Sequence, residues 1–249
     1  MNFNHPTPDA KPVALITGGA QRLGRYITNA LRHTHRVIVH YWESVDNASA
    51  LKSSSADIIT IQGDLTMPGA PARLIEQAIA EAGQLDLLVN NAALFFSDTA
   101  TLVNLAKMKS LNLDAPIKLI ETARPHLANQ NGHIINIADI AAIHNFGKYK
   151  AYSRSKAALL QHAANHALDF AREQIRINTV CPGLVLPSAS DQTTDSLDVL
   201  QQQIPLKRIG KPEDVADLVA FLANSTFITG QVIAVDGGRL LNYTASAPR

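Results

Sequence analysis

Along the chain, short β-branched runs alternate with longer stretches in which apolar residues return every three or four positions. The runs are VALIT (13–17), RVIVHY (36–41), DIITIQ (57–62), LDLLVN (85–90), HIINIA (133–138), IRINTV (175–180) and VIAVD (232–236). They lack polar alternation, as strands buried on both faces do. Between them, the stretch from Pro68 to Gly83 places Leu74, Ile75, Ala78 and Ile79 on one helical face, and Gly83 supplies a stop. This pattern predicts an α/β chain with a doubly wound, seven-stranded parallel sheet flanked by helices, and with ligands at the carboxyl ends of the strands. With no internal repeat and no low-complexity linker, one domain is expected over 13–241. Residues 1–12, polar and holding three prolines, form a flexible arm, and 242–249 a tail.

Composition narrows the possible partners. The 249 residues are 46% hydrophobic and 17% charged, enough apolar material for one large core without a membrane-spanning run. Basic and acidic residues nearly balance, 22 against 21, with no basic run, so neither nucleic acid nor a membrane is an expected partner. A single cysteine, Cys181, and the lack of a charged-then-apolar leader point to a reducing cytoplasm.

Two constellations carry candidate chemistry. The first run leads into TGGAQRLG (17–24) and then a helical pattern, a turn of small residues where backbone can approach a ligand and free amide hydrogens meet a pyrophosphate. The spacing GxGxxG is absent, so this turn alone is weak evidence. Farther on, Tyr152 and Lys156 lie four apart in AYSRSKAALL and share a helical face, so an ammonium can sit beside a phenol and lower its pKa. A chance pair on a solvated helix is the plainer alternative.

Taken together, TGGAQRLG, GDL (63–65), NNAA (90–93), Asn112, YSRSK (152–156), CPG (181–183) and ITGQVIAVDGG stand in an order and spacing similar to the short-chain dehydrogenase/reductase family. The resemblance spans nearly the whole chain. It implies a Rossmann fold, a nicotinamide cofactor and an Asn, Ser, Tyr, Lys catalytic set. The sequence departs from that set in two places. Thirteen residues before Tyr152, where the family has serine, stands Asp139, and Arg22 replaces the middle glycine of the phosphate turn. Both departures, with Phe95 in NNAALFF, resemble the pteridine reductase branch, which holds an aromatic ring against the pterin.

The carboxylate fits that chemistry. Reducing a carbonyl calls for neutral donors that steady an oxyanion, which a fixed anion opposes. Reducing a C=N bond calls for hydride on carbon and a proton on nitrogen, and a carboxyl beside a tyrosine can help deliver that proton. Asp139 could instead be a helix N-cap or a buried ion-pair partner, and Phe95 could be simple packing.

The resemblance implies the following roles. Tyr152 donates the proton, tuned by Lys156, which also holds the nicotinamide ribose. Asp139 works with Tyr152, and Asn112 is water-holding or structural. Gly18, Gly19, Arg22, Leu23 and Gly24 meet the pyrophosphate, and Asp64 and Leu65 meet adenine. Asn91, Ala92 and Ala93 border the ribose, with Pro182 and Gly183 near the nicotinamide. Arg22, Phe95, Leu184 and Leu186 line the substrate pocket, and 187–205 forms a lid.

Cofactor choice turns on HYWESVDN. Tyr41 stands where an NAD enzyme commonly has an acid, and Ser44 with Arg22 could serve a 2′-phosphate beside Trp42. Glu43 would repel that phosphate, which keeps NADH as an alternative, but the resemblance to a branch that uses NADPH implies NADPH. His162 and His166 lack a glutamate and a third ligand, so no metal is expected. The reading is an NADPH-dependent reductase of dihydromonapterin, dihydrobiopterin or dihydrofolate, assembling as a homotetramer. The alternatives are a carbonyl or alcohol oxidoreductase of the 3-oxoacyl-reductase kind, and a non-catalytic dinucleotide sensor.

Overall fold

The computed structural model describes residues 11–144, 147–186 and 194–245. Seven strands form one sheet: β1 (Val13–Ile16), β2 (Arg36–Tyr41), β3 (Ile58–Gln62), β4 (Leu87–Asn90), β5 (His133–Ile137), β6 (Arg176–Pro182) and β7 (Val232–Val235). All neighbouring pairs are parallel, in the order β3-β2-β1-β4-β5-β6-β7. The seven predicted strands are therefore all present, within two residues at each boundary. Strand order reverses between β1 and β4, and a cleft opens there beyond the carboxyl ends.

The helices are α1 (Arg22–Leu31), α2 (Val45–Ser54), α3 (Ala70–Ala82), α4 (Leu102–Lys109), α5 (Ala115–Ala128), α6 (Lys150–Arg172), α7 (Thr194–Gln202), α8 (Pro212–Asn224) and α9 (Arg239–Ala245). The predicted crossover helix is α3, and Gly83 ends it in a left-handed conformation at φ 83° that a β-carbon would strain. α9 crosses the boundary expected at residue 241. Of the expected arm, only residues 11 and 12 are described, and of the expected lid, 187–193 lie outside the described residues. The rest of the lid is α7 and the turn after it.

Alternation along each strand sends neighbouring side chains to opposite faces, and both faces are covered. Leu15, Ile38, Leu88, Ile134 and Ile177 pack in one core with residues of α3, α5 and α6. Ile16, Val37, Val39, Val89 and Ile135 pack in a second core with α1, α2 and α8. This is why the inner strands read as unbroken apolar runs. The outer strand β7 differs from the expectation: its side chains are partly exposed, because an edge strand has one neighbour instead of two.

One glycine shows how tightly the cleft floor is packed. A β-carbon at Gly24, in the first turn of α1, would collide with the carbonyl of Gly18 and the amide of Asn91. Only glycine lets the helix start this close to β1 and β4. Between α4 and α5 the chain makes one π-helical turn, Ser110–Asp114, which carries Asn112 inward to complete burial.

Candidate active site

The cleft has a volume of about 400 Å³ and runs from the end of β2 past the glycine turn to β5, α6 and the loop after β6. Every residue expected to contact cofactor or substrate lines it, with the exception of Gly19, Phe95 and Leu184; Asn112, expected to be water-holding or structural, is not in the lining either.

At the reacting end, β5 finishes at Ile137 and the next turn places Asp139 at the start of a short 3-10 helix, Ile140–Ala142. Asp139 Oδ1 accepts from Ala141 N at 2.8 Å, and its Oδ2 accepts from Tyr152 Oη at 2.9 Å. The carboxylate is thus both the N-cap weighed above and the partner of the tyrosine. Lys156, one turn along α6, is 3% exposed and donates from Nζ to Ile137 O at 2.9 Å. An ammonium has three donors, so two remain for other acceptors. Two donors facing a cleft suit a pair of ribose hydroxyls.

Burial sets the ionisation of these groups. Desolvation lowers Lys156 from 10.5 to about 8, although Asp139 pulls it upward. Desolvation pushes Asp139 above the usual carboxylate range against its hydrogen bonds from Ala141 and Tyr152. Tyr152 is raised well above 10, first by burial and then by the Asp139 charge. The expectation that Lys156 lowers the phenol is therefore corrected: desolvation and the neighbouring carboxylate dominate, and the resting tyrosine is a neutral donor.

Asn112 lies behind the cleft. Its Oδ1 accepts from Leu94 N at 2.8 Å and its Nδ2 donates to Leu94 O at 2.8 Å, so it holds the loop that carries Phe95. Phe95 stacks on Tyr149 with centroids 4.5 Å apart and meets Tyr152 edge-on at 4.7 Å. One of its faces is therefore already covered by Tyr149, which sequence reasoning did not single out. Asp98 fixes this loop by accepting from Lys150 N and Ala151 N, at 3.1 and 3.0 Å, in the first turn of α6.

Beyond β6, Leu186 lines the cleft and Leu184 does not; Val185 takes its place. The Leu184 carbonyl accepts from Gly210 N at 3.0 Å, so its backbone is committed to the loop before α8. Cys181 is fully buried and its thiol is pushed up to about 12, as desolvation dictates, which fits a packing residue and not a nucleophile.

At the phosphate turn, Arg22 adopts φ 48°, the left-handed conformation that the glycine usual at this place takes freely. Its Nη2 donates to Leu186 O at 3.3 Å, linking the turn to the loop after β6. Gly19 misses the cleft because a β-carbon there would already press on Thr28 and Ile16. Asn91 clamps the turn, donating from Nδ2 to Thr17 O at 2.9 Å and Gly18 O at 3.2 Å. Past the end of β2, where the adenosine is expected, Trp42, Glu43 and Ser44 line the cleft, and the Ser44 side chain makes no capping bond to α2. A loosely committed serine and an acid thus face the same place.

Comparison with known proteins defines the class. The family profile described as enoyl-(acyl carrier protein) reductase matches residues 20–239. The chain is 32% identical over 243 residues to the 3-oxoacyl-[acyl-carrier-protein] reductase of Staphylococcus epidermidis, covering 90% of this chain and 97% of that protein. It is equally similar, 32% over 243 residues, to the enzyme of that name from Staphylococcus aureus, covering 90% and 96%. Among solved structures, the NADP active-site complex of RhlG from Pseudomonas aeruginosa superposes with a TM-score of 0.84 at 30% identity, covering 93% of this chain and 97% of that one. The chain belongs to the short-chain dehydrogenase/reductase family. It is an NAD(P)-dependent oxidoreductase on a single Rossmann-like α/β domain. No helix among the described residues is long and apolar enough to cross a membrane.

Proposed function

We propose that this enzyme reduces the C=N bond of a 7,8-dihydropterin, with NADPH as the preferred cofactor. The observation that carries the reading is the contact between Tyr152 and a carboxylate, Asp139, at 2.9 Å. The nicotinamide supplies the hydride. The chain's own groups manage the proton: Tyr152 Oη releases its proton to the ring nitrogen, and Asp139, protonated at the start of the step, hands its own proton to the phenolate oxygen left behind and regains one from solvent. Phe95, stacked on Tyr149, meets Tyr152 edge-on but lies outside the cleft lining, so the reading rests on the Asp139–Tyr152 pair and not on an aromatic wall. NADPH preference is supported by Ser44 and Arg22 and by the NADP named in the RhlG structure, while Glu43 argues for NADH.

A second reading is reduction of a ketone of the 3-oxoacyl kind. The names of the relatives support it more directly than they support a pterin. The site supplies an argument too: burial raises Asp139, and a protonated carboxyl can donate to an oxyanion in place of serine. NADPH and NADH oxidation with dihydropterins and with a panel of 3-oxoacyl thioesters and ketones separates the two. Turnover of ketones alone removes the pterin reading.

Assembly as a homotetramer is part of this proposal. Leu168 on α6 and Phe227 after α8 are exposed and offer apolar surface to further copies. Light scattering on the eluting protein tests it, and a monomer overturns it.

A further inference from the structure

One polar side chain sits where the apolar run of β2 meets the cleft. His40 is 3% exposed among Val37, Ile38 and Val39, and none of the roles above accounts for it. We propose that His40 is the positioning residue of the adenosine site: its neutral ring ties the glycine turn after β1 to the adenine loop after β3 and fixes the distance between these two walls.

The bonds come from both sides of one imidazole. Gly18 N donates to His40 Nδ1 at 3.3 Å, and His40 Nε2 meets Gly63 O at 2.9 Å. A carbonyl can only accept and an amide can only donate, so the ring must carry its hydrogen on Nε2 and leave Nδ1 bare. One tautomer satisfies both walls, and the protonated ring satisfies only one. Burial favours the neutral state, lowering the ring to about 4, with Asp64 at the end of β3 the ionised group acting on it in the opposite sense. The main chain adds a third tie, because Gly19 N donates to His40 O at 3.0 Å.

This arrangement changes how the glycine turn works. The amides of Gly18 and Gly19 are both engaged by His40, which leaves an anion to the N–H groups that the start of α1 holds unpaired. His40 thereby holds the turn in register with Asp64 and Leu65, which line the other wall one and two residues past Gly63. An asparagine is too short to bond both walls, and a leucine of similar bulk bonds neither. The inference concerns the family's NAD(P) site and is independent of which substrate is reduced.

Two measurements test it on the full chain. In the unmodified protein, ring nitrogen resonances of His40 should show hydrogen on Nε2 and no protonation above about pH 5. Hydrogen on Nδ1 overturns the proposal, whether or not any variant folds. For His40→Leu, nicotinamide fluorescence titration should show the Kd of NADPH and of NADH rising together by about tenfold, the scale of losing two hydrogen bonds. The cofactor KM should rise in parallel, with kcat changing less, and His40→Gln should recover part of the affinity. A folded His40→Leu protein whose Kd stays within about twofold while its Tm falls marks a mere core residue. A loss confined to NADPH also overturns the proposal, since it would locate the effect at the 2′-phosphate.

Discussion

The proposed adenosine end of the cleft, where β1, β2 and β3 finish, is shaped by backbone, small residues and one buried histidine. The reacting end, where β5 meets α6, depends on three side chains whose ionisation the fold has shifted: half-buried Asp139 and buried Tyr152 and Lys156. Backbone amides have the same chemistry in any sequence, so apart from His40 the first end asks that the chain pass closely at positions such as Gly24. Side-chain acids and bases do not substitute for one another, so the second end is sensitive to single atoms. Removing a group from one end should leave the other nearly intact.

The largest effect is expected from Tyr152→Phe, which removes the proposed proton donor. Turnover should fall by ~10²–10⁴, while NADPH titration shows a Kd within a few-fold of the parent. A comparable loss of cofactor affinity would break the separation of the two ends. Asp139→Ser comes next, with dihydropterin turnover reduced by about 10² and cofactor affinity nearly unchanged. Equal pterin turnover in that variant would take away the role given to the aspartate.

The ends should also differ in their response to pH. At the reacting end, Lys156 loses its proton through about 8, so kcat/KM is expected to decline as pH rises past that value. A flat profile to pH 9 would show that the ammonium is not required. At the adenosine end the sign is reversed. The unfolded chain protonates its histidines near 6.5, whereas His40 resists until about 4, so the unfolded state binds more protons across that window. Stability is therefore full above 6.5 and is lost as pH falls toward 4, which denaturant titrations at several pH values would show. Buried His133, lowered to about 3, adds to the same trend.

The smallest effect concerns Arg22. Replacing it with glycine relieves the left-handed backbone at φ 48° and should raise stability by about 1 kcal/mol, read as a higher denaturation midpoint. The same change removes the tie to Leu186 and should weaken substrate KM more than cofactor Kd. A fall in stability would mean that the tie outweighs the strain.

Much of this molecule is legible before any coordinates. Strands buried on both faces must be apolar throughout, so RVIVHY and HIINIA declare themselves, and a glycine in the left-handed region such as Gly83 marks the end of α3. Tyr152 and Lys156 lie on one helix, and their spacing alone sets their relation. Asp139 is found by counting back thirteen residues from Tyr152, to the place where the resembled family has its serine.

The rest depends on segments far apart in the chain. His40 looks like an irregularity in an apolar strand until β1 and β3 flank it and supply a donor and an acceptor. Tyr149 acquires a role only when the loop after β4 lays Phe95 against it. The tyrosine's pKa goes the opposite way to what spacing implied, because a sequence shows which charges are neighbours but not how much water has been excluded. Local pattern thus determined the elements and the reacting pair. The ionisation of that pair and the stitching of the cofactor cleft were decided by tertiary structure, since desolvation and contacts between distant strands exist only once the sheet is assembled.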